Sequence, residues 1–359
     1  MIVTAPSTLD ALVAAVIASA PAALRIRGGG TSRPWRDDDA RPHAGVLDLR
    51  ALAGITTYDP AECVVTVLAG TPVRHLADTL ARHGQYLPWD PPMAGDGATV
   101  GGMLASGLSG PGRYRYGGVR DFVIGARVVD GRGRLIASGG QVVKNAAGFL
   151  LHHALVGSAG RLGVIAEVSL KVFPRPEATR TLVVRAGTLA EALDAHERFR
   201  VANLDLDALD LDAASASVSA RLAGAADALN ARAERAVRLV GRAADTCTGA
   251  AEAQHWQAQS LAHWPLAGAT VKVPVTPSRL GATLAALMPH GPCRVSVGGA
   301  VAFLHSTQPL DALDTAFAAA RLRGAVVRGP DAGTLLGIRH AAAFADRVRA
   351  TLDPDGRFR

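Results

Sequence analysis

The chain has 359 residues, with 38 lysines and arginines against 31 aspartates and glutamates, for a formal net charge of +7. That length suits two domains better than one, and 49% hydrophobic with 19% charged residues argues against a disordered chain. The basic residues are scattered, which argues against nucleic acid as a partner and leaves an anionic substrate, an anionic cofactor or an acidic protein. Cys63, Cys247 and Cys293 are the three cysteines, far apart and without a C-x-x-C pair. That excludes a self-contained iron–sulfur cluster, which takes about four thiolates, and a disulfide framework. It points to a reducing, cytoplasmic compartment.

In chain order, Leu9, Leu12, Val13, Val16 and Ile17 keep helical spacing. Leu9 to Ala20 is therefore read as an amphipathic helix capped by Ser7 or Thr8, not as a signal peptide. Leu24 to Arg27 reads as a strand ending in a glycine loop, and Val46 to Leu49 and Val64 to Leu68 as further strands with a turn at Tyr58-Asp59-Pro60. Pro72 to His83 is a helix with Thr71 as its cap. Leu87 to Gly118 is rich in Gly and Pro and shows no period; a structureless stretch of that length is usually functional. Phe122 to Val129 and Arg134 to Ser138 form a hairpin, Ala146 to Leu155 a short helix, and Val164 to Phe173 a strand stopped by Pro174 and Pro176.

Beyond that stop the pattern alternates strand and helix. Strands are expected at Thr181 to Arg185, Ala216 to Leu222, Thr270 to Val275, Cys293 to Val297 and Ala300 to His305. Helices are expected at Leu189 to Arg200, Ala225 to Gly241, Pro277 to Leu287, Leu310 to Arg323 and Thr334 to Leu352. The fold class is α+β. The boundaries expected are 1–178 for a first domain, 179–335 for an α+β cap, and 336–359 for a C-terminal helix that returns to the first domain. No apolar run reaches the roughly 18 residues of a membrane span.

Three glycine-rich segments, 28–30, 95–112 and 157–163, fall in the first half. Glycine lets backbone N–H groups approach a phosphate or a ring. The bland alternative is that these glycines serve turns. The dinucleotide signature G-x-G-x-x-G fails at Arg33, and no P-loop occurs.

Four segments together resemble the FAD-binding domain of the vanillyl-alcohol-oxidase and p-cresol-methylhydroxylase superfamily. They are Arg27-Gly28-Gly29-Gly30-Thr31-Ser32, Ala98-Thr99-Val100-Gly101-Gly102-Met103-Leu104-Ala105-Ser106-Gly107, Gly118 to Gly125, and Val156-Gly157-Ser158-Ala159-Gly160-Arg161-Leu162-Gly163-Val164-Ile165. The resemblance implies a two-part FAD-binding domain of that type followed by the cap. It implies cofactor contacts from Arg27, Gly28, Gly29, Gly30, Thr31, Ser32, Ala98, Thr99, Gly101, Gly102, Ser106, Gly157, Ser158, Gly160, Gly163, Val164 and Ile165. Thr31 lies about where some relatives carry a histidine joined to flavin, so noncovalent FAD is expected.

Narrower matches, Gly84 to Pro92, Gly107 to Pro111, Val143 to Phe149 and Leu352-Asp353-Pro354, resemble the FAD-binding subunits of bacterial glycolate oxidases. There the substrate is a small hydroxy acid, and the partners are a catalytic flavoprotein subunit and an iron–sulfur subunit, with a cytoplasmic location that becomes peripheral at the inner membrane through those partners. Gly107 departs from an asparagine common in the related catalytic subunit, and Leu150 from an aspartate. No metal-type histidine cluster is legible: His152 and His153 point apart on a helix, and His255, His263, His290, His305 and His340 are isolated. Arg113, Arg115 and Arg120 flank the second glycine loop and suit an anion or solvent. The catalytic base is not assigned. A stand-alone FAD-dependent dehydrogenase or oxidase and a non-catalytic assembly module that kept the fold are the alternative readings.

Overall fold

The computed structural model describes residues 2–32, 45–140, 150–339 and 342–358. Three parallel strands come first, Ile2–Thr4, Gly45–Asp48 and Leu24–Arg27 in spatial order. The Leu9–Ala18 helix buries Leu12 and Val16 in one core with Leu24, Leu47, Leu52 and Val164. Thr8 caps it, accepting from the Ala11 N–H at 3.2 Å, and Asp10 sits at the positive end of its dipole.

A five-stranded antiparallel sheet follows, ordered Ile55–Asp59, Val64–Leu68, Val164–Lys171, Val123–Val129 and Leu135–Gly139. Tyr58 and Asp59, expected in a turn, end its edge strand instead. The turn falls just beyond, where Asp59 Oδ1 accepts from the N–H groups of Ala61 and Glu62. The Ile55–Asp59 strand carries no inside–outside alternation, so its sequence gives no period to read. The Val73–Ala81 helix buries Val73, Leu76 and Leu80. Thr71 is not its cap: the Thr71 hydroxyl lies 2.7 Å from Leu68 O and accepts from the Gly54 N–H at 2.9 Å. The aperiodic 87–118 stretch contains the Val100–Ser106 helix, capped by Thr99. Two glycines lower its intrinsic helicity, and burial of Val100, Met103 and Leu104 overrides that. The helix expected over 146–155 is described only at Leu151–Leu155; its start and the Val143–Phe149 motif lie outside the described residues.

The second half is a nine-stranded antiparallel sheet. Its order is Asp245–Cys247, Ala178–Arg185, Ser217–Gly224, Ala208–Asp212, Cys293–Ser296, Val301–Ser306, Ala269–Pro274, Arg323–Arg328 and Leu335–Gly337. One face is apolar. Leu209, Leu211, Val218, Ala220, Val271, Val295 and Leu304 pack under the Leu189–Val201, Ala226–Val240, Leu280–Leu287 and Leu310–Ala319 helices. The opposite face is polar, because register partners share a face: Asp210 lies opposite Ser219, Asp212 opposite Arg294, Arg294 opposite Phe303, and Phe303 opposite Lys272. The strand at 208–212 and the helix Gly249–Ala258 were not expected. The single helix expected over 334–352 divides into the Leu335–Gly337 strand and the Ala342–Leu352 helix, since Leu335 to Gly337 pair with Arg323 to Ala325.

The chain returns to its beginning. Arg357 is 1% exposed. Its guanidinium donates to Val16 O at 2.7 Å, to Gly131 O at 2.6 Å and to the Ser19 hydroxyl at 2.8 Å, while Leu24 N–H donates to Arg357 O. Arg357→Met keeps most of the bulk but takes the guanidinium donor from Gly131 O and Ala22 O, while Val16 O keeps the Ser19 hydroxyl. We expect a loss of about 1–3 kcal/mol per unsatisfied buried acceptor, read as a lower melting temperature; an unchanged melt would show that these bonds contribute nothing net.

Candidate functional site

The three glycine segments interlock. A Cβ at Gly28 would stand 2.5 Å from Thr99 Oγ1, and one at Gly29 only 1.9 Å from Gly97 O. Close contact, with the Thr99 side chain at Gly28 and with backbone at Gly29, therefore favours these glycines, not a turn: neither has the positive φ of Gly30. The third segment joins through Gly157 N–H to Leu104 O at 3.0 Å and Ala159 N–H to Ala105 O at 2.9 Å. Gly107 has φ +61°, a conformation that glycine and asparagine both tolerate. A Cβ there would lie 3.0 Å from Gly157, so the departure from asparagine matches the close approach of the third segment.

On the open side, the N–H groups of Gly29, Gly30, Thr31 and Ser32 donate to no described residue. Gly97 and Gly157 face space with nothing within 4 Å of a built Cβ. Successive undonated amides in a loop form a nest that suits a phosphate group. Arg27 at its edge lies 3.8 Å from Asp48. The carbonyls of the same loop face the second half: Thr31 O accepts from Arg328 Nε at 3.2 Å, and Ser32 O from the Gly329 N–H at 2.9 Å.

Other expected site residues serve the scaffold. Ala98 and Thr99 are buried, and Thr99 Oγ1 accepts from the Gly102 N–H. Gly101 N–H donates to Ala69 O. The Ser106 hydroxyl donates to Met103 O and accepts from Leu108 N–H, and Ser158 Oγ accepts from the Gly160 N–H. Val164 and Ile165 point their side chains into two cores, leaving only backbone for a ligand, next to Gly163 at φ +140°.

A cavity of about 540 Å³ lies where the Asp90–Asp96 and Ser109–Pro111 segments face the polar side of the large sheet. Its size falls within the range of about 300–1,000 Å³ usual for small-molecule sites. Asp90, Asp210, Arg221, Trp256, His263 and Arg294 are on its wall. None of the cofactor-contact residues expected from the sequence lines it, although Gly95, Asp96 and Ser109 to Pro111 of the second glycine-rich segment do; the two features meet where Asp96, on the wall, adjoins Gly97, which touches Gly29. Arg221 ties the halves together. Its Nη2 lies 2.5 Å from Asp90 Oδ2 and its Nε 2.9 Å from Asp207 Oδ2, with the Trp256 ring 5.3 Å away. Arg294 donates to Asp212 Oδ2 at 3.0 Å and lies over Trp264. Burial pushes the Asp210 carboxyl up to about 7, and burial with Arg113 nearby brings Lys272 down to about 8.

Arg115 pairs with Asp205. His255 bonds the Ser219 hydroxyl and His290 bonds Gln308. His152, held to Ser138 at 3.0 Å, lies below the ordinary histidine value through burial and the neighbouring His153. His340 lies outside the described residues. Among the described residues, no three His, Cys, Asp or Glu side chains come together as metal ligands, and no helix is long and apolar enough to cross a membrane.

This geometry and the comparisons agree on the class. Residues 2–139 match the FAD binding domain family. Solved structures of alkyldihydroxyacetonephosphate synthase superpose with a TM-score of 0.72 over 99% of this chain and 75% of theirs, at 16% identity, a likeness of fold. Among sequences, glycolate oxidase subunit GlcE of Escherichia coli is 45% identical over 170 residues, covering 47% of this chain and 48% of that protein. Glycolate oxidase subunit GlcD of Bacillus subtilis is 33% identical over 150 residues, 42% of this chain and 31% of that protein. A D-lactate dehydrogenase of Archaeoglobus fulgidus is 36% identical over 126 residues, 35% of this chain and 28% of that protein. The matches thus span about half or less of these relatives.

Proposed function

We propose that this chain is the FAD-binding subunit of a glycolate oxidase complex that oxidises glycolate, a 2-hydroxy acid, to glyoxylate and passes the electrons to partner subunits, one a catalytic flavoprotein and one an iron–sulfur protein. The observation that carries the reading is the nest of amides at Gly29–Ser32 that donate to no described residue, braced by Gly28 and Gly29 against Thr99 and Gly97. The GlcE likeness supports the substrate and the partners. Residues 1–178 are assigned to FAD, 179–335 to the cap, and 336–359 to a return onto the first domain; the Arg357 contacts support that last assignment.

FAD supplies a two-electron acceptor for a CH–OH group. Around it, the Arg27 to Ser32 loop would hold the diphosphate through backbone N–H groups, and the Ala98–Gly102 and Gly157–Ile165 segments would flank it. Asp90, Arg221 and Trp256 close the cavity from two sides. Thr31 presents no ring nitrogen for covalent attachment, so the FAD is noncovalent. Visible absorption before and after acid precipitation tests this: flavin colour in the supernatant is expected, and colour in the pellet would overturn it. A protein that refolds but never takes up FAD would overturn the cofactor assignment itself.

The second reading is a stand-alone hydroxy-acid dehydrogenase. It is favoured by one observation, that this chain carries a cavity of small-molecule size with a charged wall. Bleaching of the flavin by glycolate in the isolated chain supports it; bleaching only after partner subunits are added supports the complex.

A further inference from the structure

The acids of the cavity are not equivalent. Asp90 and Asp207 share Arg221, and Asp212 holds Arg294. Asp210 is ion-paired to no described residue. Its Oδ1 accepts from the Ser296 hydroxyl at 2.7 Å, and the nearby Val297 N–H also favours the ionised form. The backbone at that N–H is strained: Val297 is β-branched at φ +59°, a conformation such residues rarely adopt. The neighbouring Gly298 leaves no room for a Cβ beside the Tyr114 ring, which comes from the first half. The part of Asp210 left accessible opens on the cavity; the rest is enclosed.

The wall carries Arg74, Arg221 and Arg294 against Asp90, Asp96 and Asp210, three charges of each sign. With Asp210 ionised, an entering anion meets a wall of no net charge and a bare carboxylate at close range. With Asp210 protonated, the same wall carries one positive charge in excess, and a hydroxyl donor replaces the repulsion.

We propose that Asp210 couples capture of a small carboxylate anion in this cavity to uptake of one proton. The inference rests on the hydroxy-acid reading and makes Asp210 a specificity residue of that site. Burial already holds the carboxyl near neutrality, against the opposing pull of Ser296, the Val297 N–H and Arg221. A bound anion raises it further, so affinity is highest below that value and is lost as pH rises through it. Above it, one linked proton corresponds to about tenfold weaker binding per pH unit. The other charged groups facing the cavity are the arginines and aspartates just named, backed by Asp207 and Asp212. His263 also lies on this wall.

The test is calorimetric titration of glycolate into the FAD-loaded full chain from about pH 5.5 to about pH 8.5, the span around an ordinary histidine and the raised carboxyl. Buffers of different ionisation enthalpy count the protons. Asp210→Asn keeps the shape and an acceptor for Ser296. The wild type is expected to weaken about tenfold per unit above the raised value with close to one proton taken up, and Asp210→Asn to stay flat. An undiminished slope in Asp210→Asn, or a slope that vanishes in His263→Gln instead, overturns the coupling while leaving the hydroxy-acid reading intact. Failure of both proteins to bind glycolate at the acid end, with FAD retained and melting unchanged, overturns the reading that this chain's own cavity takes the hydroxy acid, and this inference with it.

Discussion

Gly29→Ala will cost the protein its FAD. The added methyl would sit 1.9 Å from Gly97 O and 2.8 Å from its carbonyl carbon. Both are backbone atoms and cannot rotate aside. Because Gly29 has no positive φ, alanine is allowed there conformationally, so the whole penalty is steric. Overpacking of this kind costs about 1–3 kcal/mol, and the strain is placed between the amide nest and the segment beside the cavity. The expected outcome is FAD retention weaker by roughly fivefold to a hundredfold, since about 1.4 kcal/mol is tenfold, measured by fluorescence of released flavin on dilution. Gly95→Ala is the control, because nothing lies within 4 Å of its Cβ. If both variants keep their flavin equally well, the interlock of the first two loops has no part in holding the cofactor.

The second large effect is expected at Arg221. Its side chain is 11% exposed, Asp207 is 3% and Asp90 30%. Arg221→Leu leaves Asp207 as an uncompensated buried carboxylate, one oxygen of which already has no partner. It also leaves Asp90 with only the Gly112 N–H. Removing one member of a buried pair typically costs about 3–5 kcal/mol. Most of that is assigned to the Asp207 side, since the Asp90 arm is partly screened by solvent. Urea midpoints measure it. The double variant Arg221→Leu with Asp207→Asn should recover a good part of the loss, because no bare buried charge remains. If the double variant is no better than the single, the cost is packing against Trp256 and not charge.

The periodic elements were legible from local sequence. Leu12 and Val16 mark one face of the first helix, and the 123–139 hairpin alternates around its Asp130–Gly133 turn. The glycine loops were legible because close backbone approach leaves a compositional trace even without a period. The cavity was not. Its wall joins Asp90 to Arg221, 131 residues apart, and no local pattern spans that distance. The Ala208–Asp212 strand did carry a signal: Leu209 and Leu211 alternate with Asp210 and Asp212, period two, with the leucines under the helices and one of the acids on the cavity wall. Aspartate is a poor strand former, and a reading led by propensity passes over it. Thr71 misled for a related reason. Its position before Pro72 suits a cap, but the partners that claim its hydroxyl, Leu68 and Gly54, are set by the chain's path.

The bonds of Arg357 also fix an order of events at the ribosome. The groups it joins at Val16 lie 341 positions earlier, so the segment that seals the first helix emerges long after that helix. At a synthesis rate of about 5–20 residues per second the interval is on the order of 20–70 s. During it, the buried side of Leu9–Ala18 lacks one of its covers, and a loop of that length must close before the cover arrives. Nascent chains of this protein are thus exposed to chaperones and proteases at that helix, which is among the last parts to become native.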